Sequence, residues 1–227
     1  MVSKSPLPNH YSVSTVPAST SRFVGYALLQ RYVLWLLYHA TGGESWSNSA
    51  ANGWIPETHK GADVCNLADV ECSGSGVATL YLENDFLRGF LPTELGFLTT
   101  LTYLDVDGSG LTTIPTELGR LSNLYFLSMR SSGLSGTIPS ELGLLTNLDY
   151  LFLDSNSLTG TIPTELAQAT DLFRVFLHNT RLTGQVPSAF CSSPFPVWTA
   201  DDGGLDNTLF WADCLSEVQC SCCDNCF

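Results

Sequence analysis

From Val77 to Pro187 the apolar positions recur as one phrase, L-x-x-L-x-L followed about ten residues later by G-x-I-P-x-E-L. The units begin at Val77, Leu101, Leu124, Leu148 and Leu172, which sets successive spacings of 24, 23, 24 and 24 residues. Within each unit the alternating pair (Leu80 and Leu82, Leu104 and Val106, Leu127 and Met129, Leu151 and Leu153, Val175 and Leu177) must share one face of a short strand, because strand side chains alternate. The residues between them point out. A single unit cannot bury its apolar side alone, so five units are expected to stack into a solenoid with a continuous core and a parallel sheet.

In four of the five units the second half carries Gly89-Phe90-Leu91-Pro92, Gly136-Thr137-Ile138-Pro139, Gly160-Thr161-Ile162-Pro163 or Gly184-Gln185-Val186-Pro187. Glycine tolerates positive φ at a corner, and proline removes a donor where the chain leaves pairing. Period and phrase together resemble plant-type extracellular leucine-rich repeats, those of receptor-like kinases and polygalacturonase-inhibiting proteins. The resemblance implies an α/β leucine-rich repeat solenoid. It would be a right-handed superhelix with a parallel sheet on the concave face, short 3-10 helices or turns on the convex side, an N-terminal helical cap and a disulfide-rich C-terminal cap.

Two departures stand out. Leu111-Thr112-Thr113-Ile114-Pro115 lacks the glycine and one residue, so a local irregularity is expected in the second unit. The buried asparagine that caps each turn in this family is replaced in four units, the equivalent positions being Asp85, Ser109, Ser132, Asn156 and Thr180. Short polar side chains still bond backbone, and a weaker ladder is expected.

Residues 23–40 form an apolar stretch interrupted by Gln30, Arg31 and His39. It reads as a capping helix, started by Ser19, Thr20 or Ser21 and ended by Gly42-Gly43, with a membrane helix or signal segment as the competing reading. The string from Leu28 to Trp46 is similar to the N-terminal cap helix of secreted leucine-rich repeat proteins. The organisation expected is an extended lead-in over 1–20, an N-terminal cap over 21–76, five repeats over 77–190 and a cysteine-rich cap over 191–227.

Cys65 and Cys72 stand just before the first repeat strand. They resemble the C-x6-C of the plant-type cap, which implies a disulfide; a zinc site is the competing reading and would need further ligands beyond His59. Cys191, Cys214, Cys220, Cys222, Cys223 and Cys226 lie at or after the last repeat. Their pairing is open, and soft-metal binding competes with a disulfide cap. Similar cysteine-dense endings close leucine-rich repeat proteins of some algal lineages, which favours disulfides and no metal. An oxidised chain of this kind is expected outside the cell, secreted or as the ectodomain of a longer membrane protein. No signal peptide is evident, so the sequence reads as a mature domain or a piece of a precursor. It contains no N-x-S/T sequon, which leaves every face free of N-glycans.

Nine basic against 22 acidic residues give a formal charge of -13. That balance argues against nucleic acid and anionic membranes and favours a cationic partner or simple solubility. The outward columns then carry the candidate chemistry. One column reads Thr79, Tyr103, Phe126, Tyr150 and Arg174; the next Tyr81, Asp105, Ser128, Phe152 and Phe176; the third Glu83, Asp107, Arg130, Asp154 and His178. Six aromatics on a nominally wet face suggest a contact surface for a protein, peptide or glycan, since aromatics and Arg dominate binding hot spots. Cross-strand stacking that merely stabilises the sheet is the plainer account.

His10, His39, His59 and His178 lie in different segments, and no nucleophile, phosphate loop or metal-ligand cluster joins the His178–Asp154 neighbours. The chain therefore reads as a non-enzyme without a cofactor. The leading expectation is an extracellular recognition module, with a structural or adhesive wall protein, an inhibitor of a secreted hydrolase and, more remotely, ice binding through Thr137, Thr161 and Thr164 as alternatives.

Overall fold

In the computed structural model, residues 18–47, 54, 63–74, 76–191, 210–211 and 218–219 are described. A 23-residue helix, Ala18–Ala40, opens the fold. It starts earlier than expected, so Ser19 to Ser21 lie inside it rather than capping it, and the end of the lead-in is helical. Its far end is where the glycines placed it: Gly42 takes φ 69°, and the Thr41 N–H closes the last turn on the Leu37 carbonyl. Gln30, the polar interruption, is buried and its side-chain oxygen accepts the Val77 N–H at 2.7 Å, tying the helix to the first repeat strand. Among the described residues no helix is long and apolar enough to cross a membrane.

Among the described residues the main sheet has seven strands. Val70–Ser73 pairs antiparallel with Gly76–Tyr81. From there the strands Tyr103–Asp105, Phe126–Ser128, Tyr150–Phe152 and Arg174–Phe176 add in parallel, one per unit and in strict register. A last strand, Phe210–Trp211, pairs with Arg174–Phe176, so the chain after the repeats extends the same sheet. The inward leucines of every unit are fully buried and join the 3-10 turns Thr93–Phe97, Thr116–Arg120, Ser140–Leu144 and Thr164–Gln168 in one core. Each of these turns follows a proline whose φ suits the entry, at Pro92, Pro115, Pro139 and Pro163.

A second set of short strands lines the side that the Gly-x-Ile-Pro phrases occupy. Arg88–Gly89 pairs with Gly110–Leu111, and separately Ser135–Gly136, Ser157–Gly160 and Arg181–Leu182 form a three-stranded sheet. The break falls between the second and third units, where the phrase is one residue short. Val218–Gln219 continues this side by pairing with Gly184–Gln185.

Cys65 and Cys72 form a disulfide with a Cα–Cα distance of 5.5 Å. Cys191 ends the 3-10 turn Ser188–Cys191, while Cys214, Cys220, Cys222, Cys223 and Cys226 lie outside the described residues, as does His59.

The substituted asparagine ladder works unevenly. Asn156 makes five bonds: its oxygen accepts the Ser132 and Leu134 N–H groups at 3.1 and 3.0 Å, and its amide donates to the Met129, Leu153 and Asp154 carbonyls. Ser132 manages two donor contacts, to the Val106 and Arg130 carbonyls, both at 2.9 Å. Thr180 donates to the Leu177 carbonyl in its own unit, and the Asp85 carboxylate accepts the Ser47 hydroxyl of the N-terminal cap.

Candidate functional site

Strand register builds the outward face as the spacing required. Thr79, Tyr103, Phe126, Tyr150 and Arg174 are laterally paired across the sheet, and so are Tyr81, Asp105, Ser128, Phe152 and Phe176. The rings form one ribbon. Tyr81 lies 4.8 Å from Tyr103, Tyr103 stacks on Phe126 at 4.1 Å with planes 2° apart, and Phe126 meets Tyr150 and Phe152 at 5.9 and 5.5 Å. Phe152 then stacks on Phe176 at 4.8 Å, and Phe176 touches His178 edge-on at 6.0 Å.

Exposure along the ribbon is unequal. Tyr81 is 40% exposed and Tyr103, Phe126, Tyr150 and Phe176 are half-buried, but Phe152 is only 8% exposed. The cause is Arg130, whose guanidinium lies 4.0 Å from the Phe152 ring centre and 5.0 Å from that of Phe176. Its Nε donates to the Asp154 carboxylate at 3.0 Å, and His178 Nε2 approaches the other oxygen of the same carboxylate at 3.6 Å. Asp154 is buried in consequence. So Phe152 and Asp154, expected as open contact residues, are covered by a neighbour from the adjoining repeat.

The third column is also internally engaged. One Asp107 oxygen accepts both the Ser128 hydroxyl and the Arg130 N–H at 2.6 Å, which fastens the second unit to the third. Asp105 is 8% exposed; it accepts the Asp107 N–H at 3.1 Å and, at 3.4 Å, the Tyr103 hydroxyl. Burial, and then the Asp107 charge, push the Asp105 carboxyl up to about 6. Burial also raises Asp107, against the pull of Ser128 and the Arg130 backbone. The Tyr103 phenol is raised by burial and by the Asp105 charge beside it. Glu83 remains exposed, and Arg174 is exposed at the other end with its guanidinium 5.5 Å from the Phe173 ring.

Two ribbon members escaped the strand pattern. Tyr125 and Phe173 precede the first outward column yet lie against it, edge-on to Tyr103 and Tyr150 respectively, each at 6.1 Å. The available signal was the doublet, Tyr125-Phe126 and Phe173-Arg174, at the entry to a strand where the chain is still turning.

A family model for the leucine-rich repeat matches residues 147–169. No curated protein matches the chain in sequence. Among solved structures, the BIR2 ectodomain from Arabidopsis thaliana aligns over 87% of this chain and 98% of its own, with 25% identity and a TM-score of 0.70. A complex of BIR3 and SERK2 from Arabidopsis thaliana aligns over 83% of this chain and 98% of the matched one, with 25% identity and a TM-score of 0.63. A plant ice-binding protein aligns over 85% of this chain with 25% identity and a TM-score of 0.66, and here the chain spans 57% of the matched protein. The leucine-rich repeat architecture of this chain is similar to that of plant receptor ectodomains.

Proposed function

We propose that the protein is an extracellular, non-enzymatic recognition module that binds a protein or peptide segment along the outward face of its main sheet. The observation that carries this reading is the aromatic ribbon from Tyr81 to Phe176, partly open to solvent and held rigid by ring contacts of 4.1 to 6.0 Å. Rigid aromatic area costs little conformational entropy when it binds, and a parallel scaffold fixes its shape in advance. The two-protein complex among the structural neighbours supports the same reading. A glycan would use the same rings, but of the charged groups on the face Asp105, Asp107 and Asp154 already serve neighbouring groups, which leaves the exposed Glu83 and Arg174.

The test is capture from the native extracellular fraction by the intact oxidised protein, beside a variant carrying Phe126→Ser and Tyr150→Ser. Both side chains are half-buried, so circular dichroism should be unchanged while the captured partner is lost. Equal capture by the variant refutes the reading. Phe152 is left out because it lies beneath Arg130.

A second reading has its own observation. On the other side of the solenoid Thr113, Thr137 and Thr161 are exposed at one position of successive units, beside Ser135, Thr159 and Thr183. The latter three donate their hydroxyls to the Thr112, Gly136 and Gly160 carbonyls at 3.0 to 3.3 Å. A regular array of small hydroxylated side chains suits a repetitive surface such as ice, and one structural neighbour is an ice-binding protein. Thermal hysteresis and ice-recrystallisation assays, with Thr137→Lys and Thr161→Lys as the blocked form, decide this reading; no activity in the unmodified protein ends it.

A further inference from the structure

Arg130 reveals what this ribbon does with a cation. Its guanidinium rests over two rings, Phe152 and Phe176, that stack at 4.8 Å with planes 21° apart, and a carboxylate, Asp154, grips it from the side. Stacked rings below and a carboxylate beside form the arrangement in which a guanidinium gains both cation–π attraction and a charge-assisted bond.

The same parts recur toward the N-terminal end of the ribbon. Tyr103 and Phe126 stack at 4.1 Å, Tyr81 leans on Tyr103 at 4.8 Å, Asp105 is the lateral partner of Tyr81 and accepts the Tyr103 hydroxyl at 3.4 Å, and Glu83 follows two residues after Tyr81. What differs is the cation. The ion pairs among the described residues both belong to Asp154, and no described basic side chain pairs with Glu83 or Asp105. Glu83 is exposed and its carboxylate accepts the neighbouring Asn84 amide at 3.0 Å. Asp105 accepts the Tyr103 hydroxyl at 3.4 Å, with the Asp107 and Glu83 carboxylates near it. Among the described residues, the protein fills this geometry with its own Arg130 in one half of the face and supplies no cation in the other.

We propose that the corner formed by Tyr81, Tyr103, Glu83 and Asp105 receives an arginine or lysine side chain of a bound extended peptide. The proposal rests on the recognition reading above and narrows it to a basic partner, in keeping with the chain's net charge of -13. The guanidinium lies over the Tyr81 and Tyr103 rings, its edge turned to the Glu83 carboxylate, while Asp105 holds the local potential negative.

The probe is a fluorescent hexa-arginine peptide, with hexa-citrulline and hexa-glutamate of the same length, titrated against the full chain by anisotropy. Citrulline keeps the shape and most of the donors and loses the charge. Expected is saturable binding of the arginine peptide alone, weakened about tenfold by Tyr81→Ala and by Glu83→Gln. Glu141→Gln and Glu165→Gln, acidic positions away from this face, should change affinity less than about twofold. Asp105→Asn is a near-isosteric check that requires no loss of fold. If the corner variants bind the arginine peptide like the unmodified chain, or if citrulline binds equally, the cation corner is wrong. The recognition reading fails separately: loss of native partner through Phe126→Ser and Tyr150→Ser with full retention through Tyr81→Ala and Glu83→Gln keeps that reading and overturns only the corner.

Discussion

Asn156 is where the structure puts the most backbone at risk on one side chain. Replacing it with Ala strands the buried Ser132 and Leu134 N–H groups and removes the amide from three carbonyls on both sides of the interface between the third and fourth units. An unsatisfied buried donor costs about 1–3 kcal/mol, so two of them with a partly compensated cavity amount to about 3–5 kcal/mol. That is a large part of a typical stability of about 5–15 kcal/mol. Asn156→Ser should cost less, about 1–2 kcal/mol, because Ser132 shows that a hydroxyl at this position still reaches two carbonyls. Asn156→Asp keeps both acceptors but turns a charge onto three carbonyl oxygens, so its deficit should shrink as the pH is lowered and the carboxyl protonates. Guanidinium titration followed by tryptophan fluorescence measures all three. A smaller m-value in the Ala variant would report that the solenoid now unfolds in two pieces at this interface. A loss below about 1 kcal/mol at unchanged m would refute the accounting.

Three further outcomes follow from packing, charge and covalent closure. A Cβ on Gly143 would sit 2.0 Å from the Glu165 carbonyl oxygen, so Gly143→Ala should cost about 1–3 kcal/mol by thermal melting, whereas the equivalent position of the next unit is already Ala167. Asp105 near 6 and the upward shifts of Asp69, Asp107 and Asp149 mean that the folded state binds more protons than the unfolded chain between about pH 4 and 6. Stability should therefore rise as pH falls from 7 to 5, and a melting temperature that drops over this window contradicts the burial of those carboxyls. Removing the Cys65–Cys72 disulfide, which closes a separation of seven residues, by a double Ser substitution should lower stability by about 2–3 kcal/mol, read from the guanidinium midpoint against the unmodified chain.

The periodic leucines, the glycine corners and the one-residue deletion were legible because each is a local demand: alternation, positive φ and unit length act on the chain wherever it lies. The break in the second sheet fell at Leu111 to Ile114 for that reason. The helix start was not legible, since an apolar stretch marks which face packs but not where an exposed first turn begins, and Ala18 to Arg22 joined the helix ahead of the apolar run. Nor did any repeat signature announce that Phe210–Trp211 and Val218–Gln219 extend both sides of the solenoid, because those segments lack the leucine phrase and gain their pairing only from the last unit's open edge.

The sequence by itself determined which side chains point outward and in what columns, since strand alternation and a 24-residue period leave no other arrangement. Only the tertiary structure decided which of them remain open. Arg130 reaches across a repeat boundary to cover Phe152 and pair with Asp154, Asp107 is consumed by Ser128 and the Arg130 backbone, and Tyr81 with Glu83 keep their exposure. Direction is a property of one strand, whereas exposure depends on the reach of side chains about two dozen residues away that stacking brings within a few ångströms.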